Sequence, residues 1–526
     1  MAVAAWAGIA SGLLAQIAPP PPVEFDPARL PAEMQLTAVG SEMVHAEAAM
    51  PRVTRTDPLA EPLAVDMPGA GDIIEETIDE ATGVWSAWLS NGVRLHVRST
   101  PVPPGVPSRE AQVTMRITLL GGEVLEDAST RGLTAAVGAM LARPTPEAFR
   151  SGEAERALRE RSVVWRSGSD KDLLFVQASV PRKYLGWSMQ FSHLALAQAQ
   201  FREREFVAWQ REAFTSAQVR SRATWTSVYE LANAAMLGDD VRWQPPSLAA
   251  IESLSAARAS AWLKQAATTW PAEIAIVGPV QVEQVRSDIR RWLASLPKRE
   301  RVGTDTWAAQ RAAKKAPLPL VRRDEVVASI ERASIVLGAP APDEREVEKV
   351  QALQIAAELL EARLRRAIPT DAAKLRQSEL LNCVVTMAPG AALPGTGWFS
   401  VALHARTADL GPALAVAAPI LDEFATSGPD ESEFTQARDR MVKELRARWQ
   451  GQEVWVQALA TSTYAGLNLA EFARLPDTIA ALTRERVHLS FREVWASPAP
   501  ILVEILPKIG QRPGILRRMG EPTNRQ

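Results

Sequence analysis

VWSAWLSNGVRLHVRS, residues 84 to 99, alternates apolar and polar side chains on both sides of a turn. Trp85, Ala87 and Leu89 fall on one face, Val93, Leu95 and Val97 resume it, and Asn91-Gly92 between them tolerates positive φ. A period of two with such a break predicts strand, turn, strand. QVTMRITLLGG, 112 to 122, predicts another strand ending at the glycine pair, and RGLTAAVGAML, 131 to 141, then changes to a helix with no charged side chain after Arg131.

Further along, residues 202–236 read as mainly helical, PAEIAIVGPV (271–280) as a strand leaving at a Gly-Pro turn, and 280–297 as a helix closed by Pro297. The run from Lys298 to Leu318 is charged and short of large hydrophobes except Trp307, which marks a domain boundary. The chain also repeats itself. A shift of 228 residues lays EFTQAR from Glu433 over EFVAWQ from Glu205, and IAALTRER from Ile479 over IESLSAAR from Ile251, so that Leu482 falls on Leu254 and Thr483 on Ser255. The same shift brings ASPAPILVEI (496–505) close to PAEIAIVG (271–278). Matches on one register predict an α+β chain of two tandem homologous domains, 77–300 and 320–510, joined by a linker at 301–319. Each is expected to be a largely antiparallel mixed sheet with helices packed on one side, the two enclosing a surface between them. Residues 17–76, with APPPP at 18–22, read as a Pro-rich arm, and 511–526 as a flexible tail.

The chain has 526 residues, of which 47% are hydrophobic and 23% charged, with a formal net charge of -2. That balance describes a globular protein without the basic surface a nucleic-acid partner requires. The single cysteine, Cys383, excludes an intramolecular disulfide, and its run LNCVVTM reads as a buried strand. The start, MAVAAWAGIASGLLAQ, is apolar and ends in small residues, but it lacks a positive n-region and is too short to span a bilayer. A signal peptide and an N-terminal apolar helix both fit residues 1–16, so an exported or periplasmic location and a cytoplasmic one both stay open.

No chemistry stands out locally. His45, His96, His193, His404 and His488 are never three to five residues apart, leaving no local frame for zinc. Strand alternation predicts His96 and His404 at a sheet edge or facing solvent. The acidic clusters Glu123, Glu126 and Asp127, then Glu203, Glu205 and Glu212, then Asp430, Glu431 and Glu433 read as solvated faces or helix starts. GxSxG, GxGxxG after a strand and GxxxxGK[ST] do not occur.

The strand containing NGVRL, the strand AEIAIVG and the helical order around TWTSVYELANAAML resemble the insulinase-like, pitrilysin-type zinc metallopeptidases, the family called M16. The resemblance covers about 430 residues and both repeated units. It implies a peptide-admitting chamber closed by two halves. In active members, the helix after the glycine turn carries HxxEH, whose histidines bind zinc and whose glutamate activates water; a glutamate on the later long helix completes the metal shell. Here Ala135 and Ala139 stand at the histidine positions and Gly138 at that of the base. Glu212 falls near the position of the last ligand, and one carboxylate cannot rebuild the site. An arginine-and-tyrosine segment of active pairs is matched by 359–387, where Arg363, Arg365 and Arg366 survive as candidates for peptide or partner contact and no tyrosine follows.

The resemblance therefore implies no catalytic and no metal-binding residue in this chain. The expected function is a non-catalytic subunit, or the C-terminal half of a longer peptidase, that completes a chamber and binds peptide for an HxxEH-bearing partner holding the zinc. A scaffold without a peptidase partner is the alternative, and an active zinc peptidase with an unrecognised site a third.

Overall fold

The alternation at 84–99 folds as a hairpin. In the computed structural model β2 (Trp85–Leu89) and β3 (Arg94–Ser99) pair antiparallel, Trp85 opposite Val97 and Ala87 opposite Leu95, and Gly92 takes φ +82° in the turn. The structure describes residues 68–509 apart from 145, 147–148, 150–151, 199, 239, 313–316, 329, 344, 372–381, 390–394 and 497–500. The apolar start, most of the arm and the tail lie outside the described residues.

One strand extends the hairpin on one side and four on the other: β1 (Ile73–Ile78), then β4 (Gln112–Leu120), β5 (Val164–Ser169), β6 (Leu173–Pro181) and β7 (Ala272–Gly278) complete a seven-stranded sheet ordered β1-β2-β3-β7-β4-β6-β5. Only β3 and β7 run parallel. β1 begins inside the stretch expected to be an arm, 17–76, and runs into the expected first domain; Ile73 sits opposite Leu89, so the ordered sheet takes in residues assigned by composition to a linker.

The second sheet repeats this topology without the two outermost strands. Its members are β8 (Leu320–Ala328), β9 (Arg332–Pro340), β10 (Asn382–Ala388), β11 (Trp398–Arg406) and β12 (Ile501–Ile509). Read from β8 the order is β8-β12-β9-β11-β10, matching β3-β7-β4-β6-β5, and again only the first pair is parallel.

Each sheet has an apolar face covered by helices of its own unit. In the first, α1 (Leu133–Met140), α2 (Leu185–Ala197), α3 (Glu203–Arg220) and α5 (Ala256–Thr269) bury Val137, Trp187, Phe206 and Leu263 with Val113, Ile117 and Ile274. In the second, α7 (Val347–Asp371), α8 (Thr407–Ser427), α9 (Glu431–Trp449) and α12 (Arg484–Trp495) bury Leu360, Phe424, Phe434 and Phe491 with Ile335 and Val401. A side chain such as Phe434 withdrawn fully from water contributes about 1.5–3 kcal/mol. The 228-residue register survives in detail: Phe206 and Phe434 are both buried, and the Ser255 and Thr483 hydroxyls cap their helices by accepting from Arg258 N and Arg486 N.

The opposite faces are not left open. α4 (Thr224–Met236) leaves the first unit and packs Val228 and Ala232 against Val336, Ala402, Val503 and Ile505 of the second sheet. α10 (Gln452–Leu459) returns the exchange, packing Trp455, Val456 and Leu459 against Val84, Ala275 and Val277 of the first. Val228 and Val456 are related by the same 228 residues. Helices from its own unit cover only one side of each sheet, as expected, while the other side is covered by a helix from the homologous unit.

Residues 301–319, read as a linker, contain α6 (Thr304–Gln310), and Trp307 is buried with Leu120, Val124 and Tyr464. Arg311 reaches Asp172 at 2.9 Å in the β5–β6 turn. The apolar ring decides this: a lone tryptophan in a charged run finds the nearest apolar cleft.

Candidate site at the degenerate helix and the face between units

α1 begins at Gly132, whose φ of +96° places it in the left-handed region. Its amide ends are held by Glu126, whose carboxylate accepts from Gly132 N at 2.9 Å and Thr134 N at 2.6 Å and pairs with Arg131 at 3.0 Å. Glu126 is buried, which corrects its assignment to a solvated face. A carboxylate at a helix start satisfies otherwise unpaired N–H groups and the dipole together. Its neighbour Asp127 is exposed; hydrogen bonds from Ser129 and Thr130 bring its carboxyl down to about 2. Glu123 meets Lys171 at 2.5 Å.

Ala135 and Ala139, four residues apart, share a half-buried face of α1, while Gly138 is buried beneath β5. A Cβ built on Gly138 would lie 3.0 Å from the Gly168 carbonyl carbon and 3.1 Å from Ser169 N. The Ser167 hydroxyl donates to the Gly138 carbonyl at 2.6 Å. Glycine at this position lets the backbone of β5 lie directly on the helix. Any side chain at 138 would start in tight contact with that main chain.

α3 packs on α1, and Glu212 on it is exposed. Methyl groups and hydrogen at 135, 138 and 139 offer no lone pair to a metal. Among the described residues no group of three or more His, Cys, Asp and Glu side chains is arranged to hold a metal ion. The residues present do not fit zinc.

Chemistry of another kind gathers on the second face of the first sheet, where β3 and β7 meet the second unit. His96 is buried in the inner strand β3, which corrects its expected exposure. Its Nδ1 lies 2.8 Å from the Ser86 hydroxyl and its Nε2 3.3 Å from the fully buried Glu273 carboxylate. Glu273 accepts the backbone N–H groups of Thr463 at 3.2 Å and Tyr464 at 2.9 Å, in the short helix α11 (Ser462–Ala465). Beside it, Gln177 donates to Glu453 at 2.8 Å, Thr114 donates to Gln452 at 3.0 Å and the Gln452 amide donates to the Gln112 carbonyl at 2.8 Å. Burial pulls the Arg116 guanidinium down to about 10 and Glu453 opposes the shift. This polar seam joins the two units. Sequence reading missed it because Glu273 and Tyr464 are 191 residues apart.

His404 departs from expectation in the same way. β11 is an inner strand; the imidazole lies 2.7 Å from the Ser334 hydroxyl and meets the Trp225 ring of α4 edge-on at 5.3 Å. Burial, with the Arg332 charge, drives it down to about 4, so it is neutral near pH 7. His193 and His488 lie on helices as read, bonded to the carbonyls of Trp292 and Ala425. Cys383 is buried in β10, and burial pushes its thiol up to about 12.

The three arginines of α7 separate. Arg363 is tied to Glu433 at 2.6 Å and stacks over Phe424, so its charge is used in joining α7 to α9. Arg365 and Arg366 are exposed, Arg365 pairing with Glu361 at 2.9 Å. Glu361 also accepts the Val385 N–H of edge strand β10 at 3.0 Å.

This architecture has known counterparts. Residues 256–441 match the family model described as the peptidase M16 inactive domain. The fold is similar to that of the periplasmic protease PqqL from Escherichia coli, with a TM-score of 0.69 and 16% identity over 89% of this chain and 49% of that one. It is also similar to a peptidase M16 inactive domain from Pseudomonas fluorescens (TM-score 0.66, 13% identity, 82% of this chain and 100% of that one). A protease from Helicobacter pylori gives a TM-score of 0.64 at 12% identity, over 83% of this chain and 100% of that one. The chain spans about half the length of PqqL. No curated protein matches it by sequence. At these identities the structural likeness is one of fold, and the two-unit α+β architecture of this chain is that of M16 proteins, with residues 256–441 matching the family's inactive domain.

Proposed function

We propose that this chain is a non-catalytic M16-type subunit that forms part of a peptide-binding chamber for a zinc-bearing, HxxEH-containing partner. The observation that carries the reading is Gly138 under β5: the positions of both ligands and the base hold no functional group, and main chain lies against the middle one. What the fold retains is a surface. β5 pairs only with β6 among the described residues, and its free edge beside α1 offers main-chain donors and acceptors to an extended peptide. The zinc, in this reading, belongs to the partner. A missing N-terminal half would serve in the same way as a separate partner subunit, since either would supply the metal.

Co-purification tests the proposal. An affinity-tagged chain is expected to bring down an HxxEH-bearing protein, and adding the chain to that protein is expected to raise peptide cleavage. A chain that runs alone and leaves such an enzyme unaffected would favour a scaffold. Stoichiometric zinc in the isolated chain, with turnover abolished by a chelator, would sink the non-catalytic reading.

A further inference from the structure

We propose that the outer edge of β8 is a homodimer interface, in which two copies pair β8 antiparallel about a two-fold axis through Asp324. Three observations carry this. First, the two sheets share one topology, but the outer edge of β3 is filled by the antiparallel strand β2, whereas the equivalent edge of β8 has no strand beside it among the described residues. Unpaired edges of this length are templates for another strand. Second, β8 exposes apolar residues at both ends of one face: Val321 is 51% and Val327 56% exposed. Third, that face reads Val321, Arg323, Glu325, Val327, which is complementary to its own reverse.

The geometry fixes the register. A two-fold axis perpendicular to a sheet keeps each strand's faces on the same side, so odd-numbered residues must oppose odd-numbered ones. Centring on Asp324 sets Val321 opposite Val327 of the second copy and Arg323 opposite its Glu325, each twice; the Arg323 Nε already donates to the buried Glu504 of β12 at 2.5 Å, so the terminal nitrogens of its guanidinium are what would meet Glu325. Centring on Arg323 instead sets Val321 opposite Glu325, and centring on Glu325 sets Arg323 opposite Val327, so each loses both the apolar and the charge pairs of the odd-numbered face. Charges in mid-strand would repel many foreign strands, yet here they match a second copy of the same strand. On the other face Asp324 meets its own copy on the axis and Arg322 lies opposite Val326, so the favourable pairs are those of the odd-numbered face. The outcome is a continuous ten-stranded sheet across the dimer, twice the five strands of one copy.

Sedimentation of the full chain tests the interface. The wild-type protein is expected to sediment as a dimer at micromolar concentration, and Val321→Asp and Val327→Lys each as a monomer. Mixed in equal amounts the two variants are expected to recover the dimer, because one arrangement opposes Asp to Lys at one end and Val to Val at the other. A monomeric wild type, a dimer indifferent to both substitutions, or no recovery in the mixture would overturn the proposal; recovery also shows that the variants are folded. Register is read by cross-linking. Opposed residues have Cα atoms about 4.5–5.5 Å apart, within disulfide range, so Asp324→Cys is expected to give a disulfide-linked dimer under mild oxidation. Val326→Cys would lie about 14 Å from its copy, four residues along the strand, and is expected to stay unlinked; linkage of Val326→Cys in preference to Asp324→Cys would overturn the register.

Discussion

The Glu273 carboxylate, fully buried in β7 of the first unit, accepts the backbone N–H of Tyr464 in the second at 2.9 Å. It also accepts from Thr463 and stands 3.3 Å from His96 Nε2, so one side chain ties two strands to the helix that crosses them. Glu273→Ala leaves those donors buried without an acceptor, and a hydrogen bond to a charged group contributes about 1.5–3 kcal/mol. The expected result is a loss of about 3 kcal/mol or more in denaturant unfolding, with faster amide exchange at Thr463 and Tyr464.

Exchange of helices predicts damage at a distance in sequence. Trp455 belongs to the second unit but is buried on the first sheet, 3.9 Å from the Arg98 guanidinium. Trp455→Ala is expected to cost about 3–5 kcal/mol, and hydrogen exchange should rise in β3 and β7. Val228→Asp, on the reciprocal helix, is expected to loosen β9 and β12 instead.

At position 138 the expected cost is steric. Gly138→Glu drives a Cβ to 3.0 Å from the Gly168 carbonyl carbon and must displace β5. Overpacking of this kind costs about 1–3 kcal/mol, visible as a lower melting temperature. Restoring all three side chains, with Ala135→His and Ala139→His, is expected to leave the protein without stoichiometric zinc by metal analysis, because the contact at 138 shifts α1 against β5 and two imidazoles without a fixed third ligand are an incomplete zinc shell.

Two partly buried groups give opposite pH slopes. The His404 imidazole is depressed to about 4, chiefly by burial, so between about pH 6.5 and 4 the unfolded chain binds the proton the folded one refuses. Its contribution is present above pH 6.5 and lost as pH falls through 4; His404→Asn should flatten that limb of a plot of melting temperature against pH.

Asp172 runs the other way. Burial raises its carboxyl to about 6 against the opposing pull of Arg311, so the folded state holds a proton that the unfolded state has already lost. That contribution is present below pH 3.8 and lost as pH rises through about 6. Asp172→Asn is expected to remove the decline over this window, measured at fixed ionic strength.

Much of the architecture is written locally. Alternation at 84–99 specifies a hairpin because successive strand side chains point to opposite faces, and the 228-residue register aligns Phe206 with Phe434 and Ser255 with Thr483 because both copies need the same core anchor and the same cap. The missing chemistry of α1 is equally a property of sequence, since Ala135, Gly138 and Ala139 carry no ligand in any fold. Periodicity identifies an amphipathic face but not what covers it. Only the tertiary structure decided that α4 and α10 cover each other's sheets, that Trp307 turns a charged stretch into a packed helix, and that Glu126, His96 and His404 lie inside. Those outcomes depend on residues up to 367 positions apart, as between His96 and Thr463, and long-range pairing is set by which apolar surfaces and hydrogen-bonding groups remain unsatisfied once the local elements have formed.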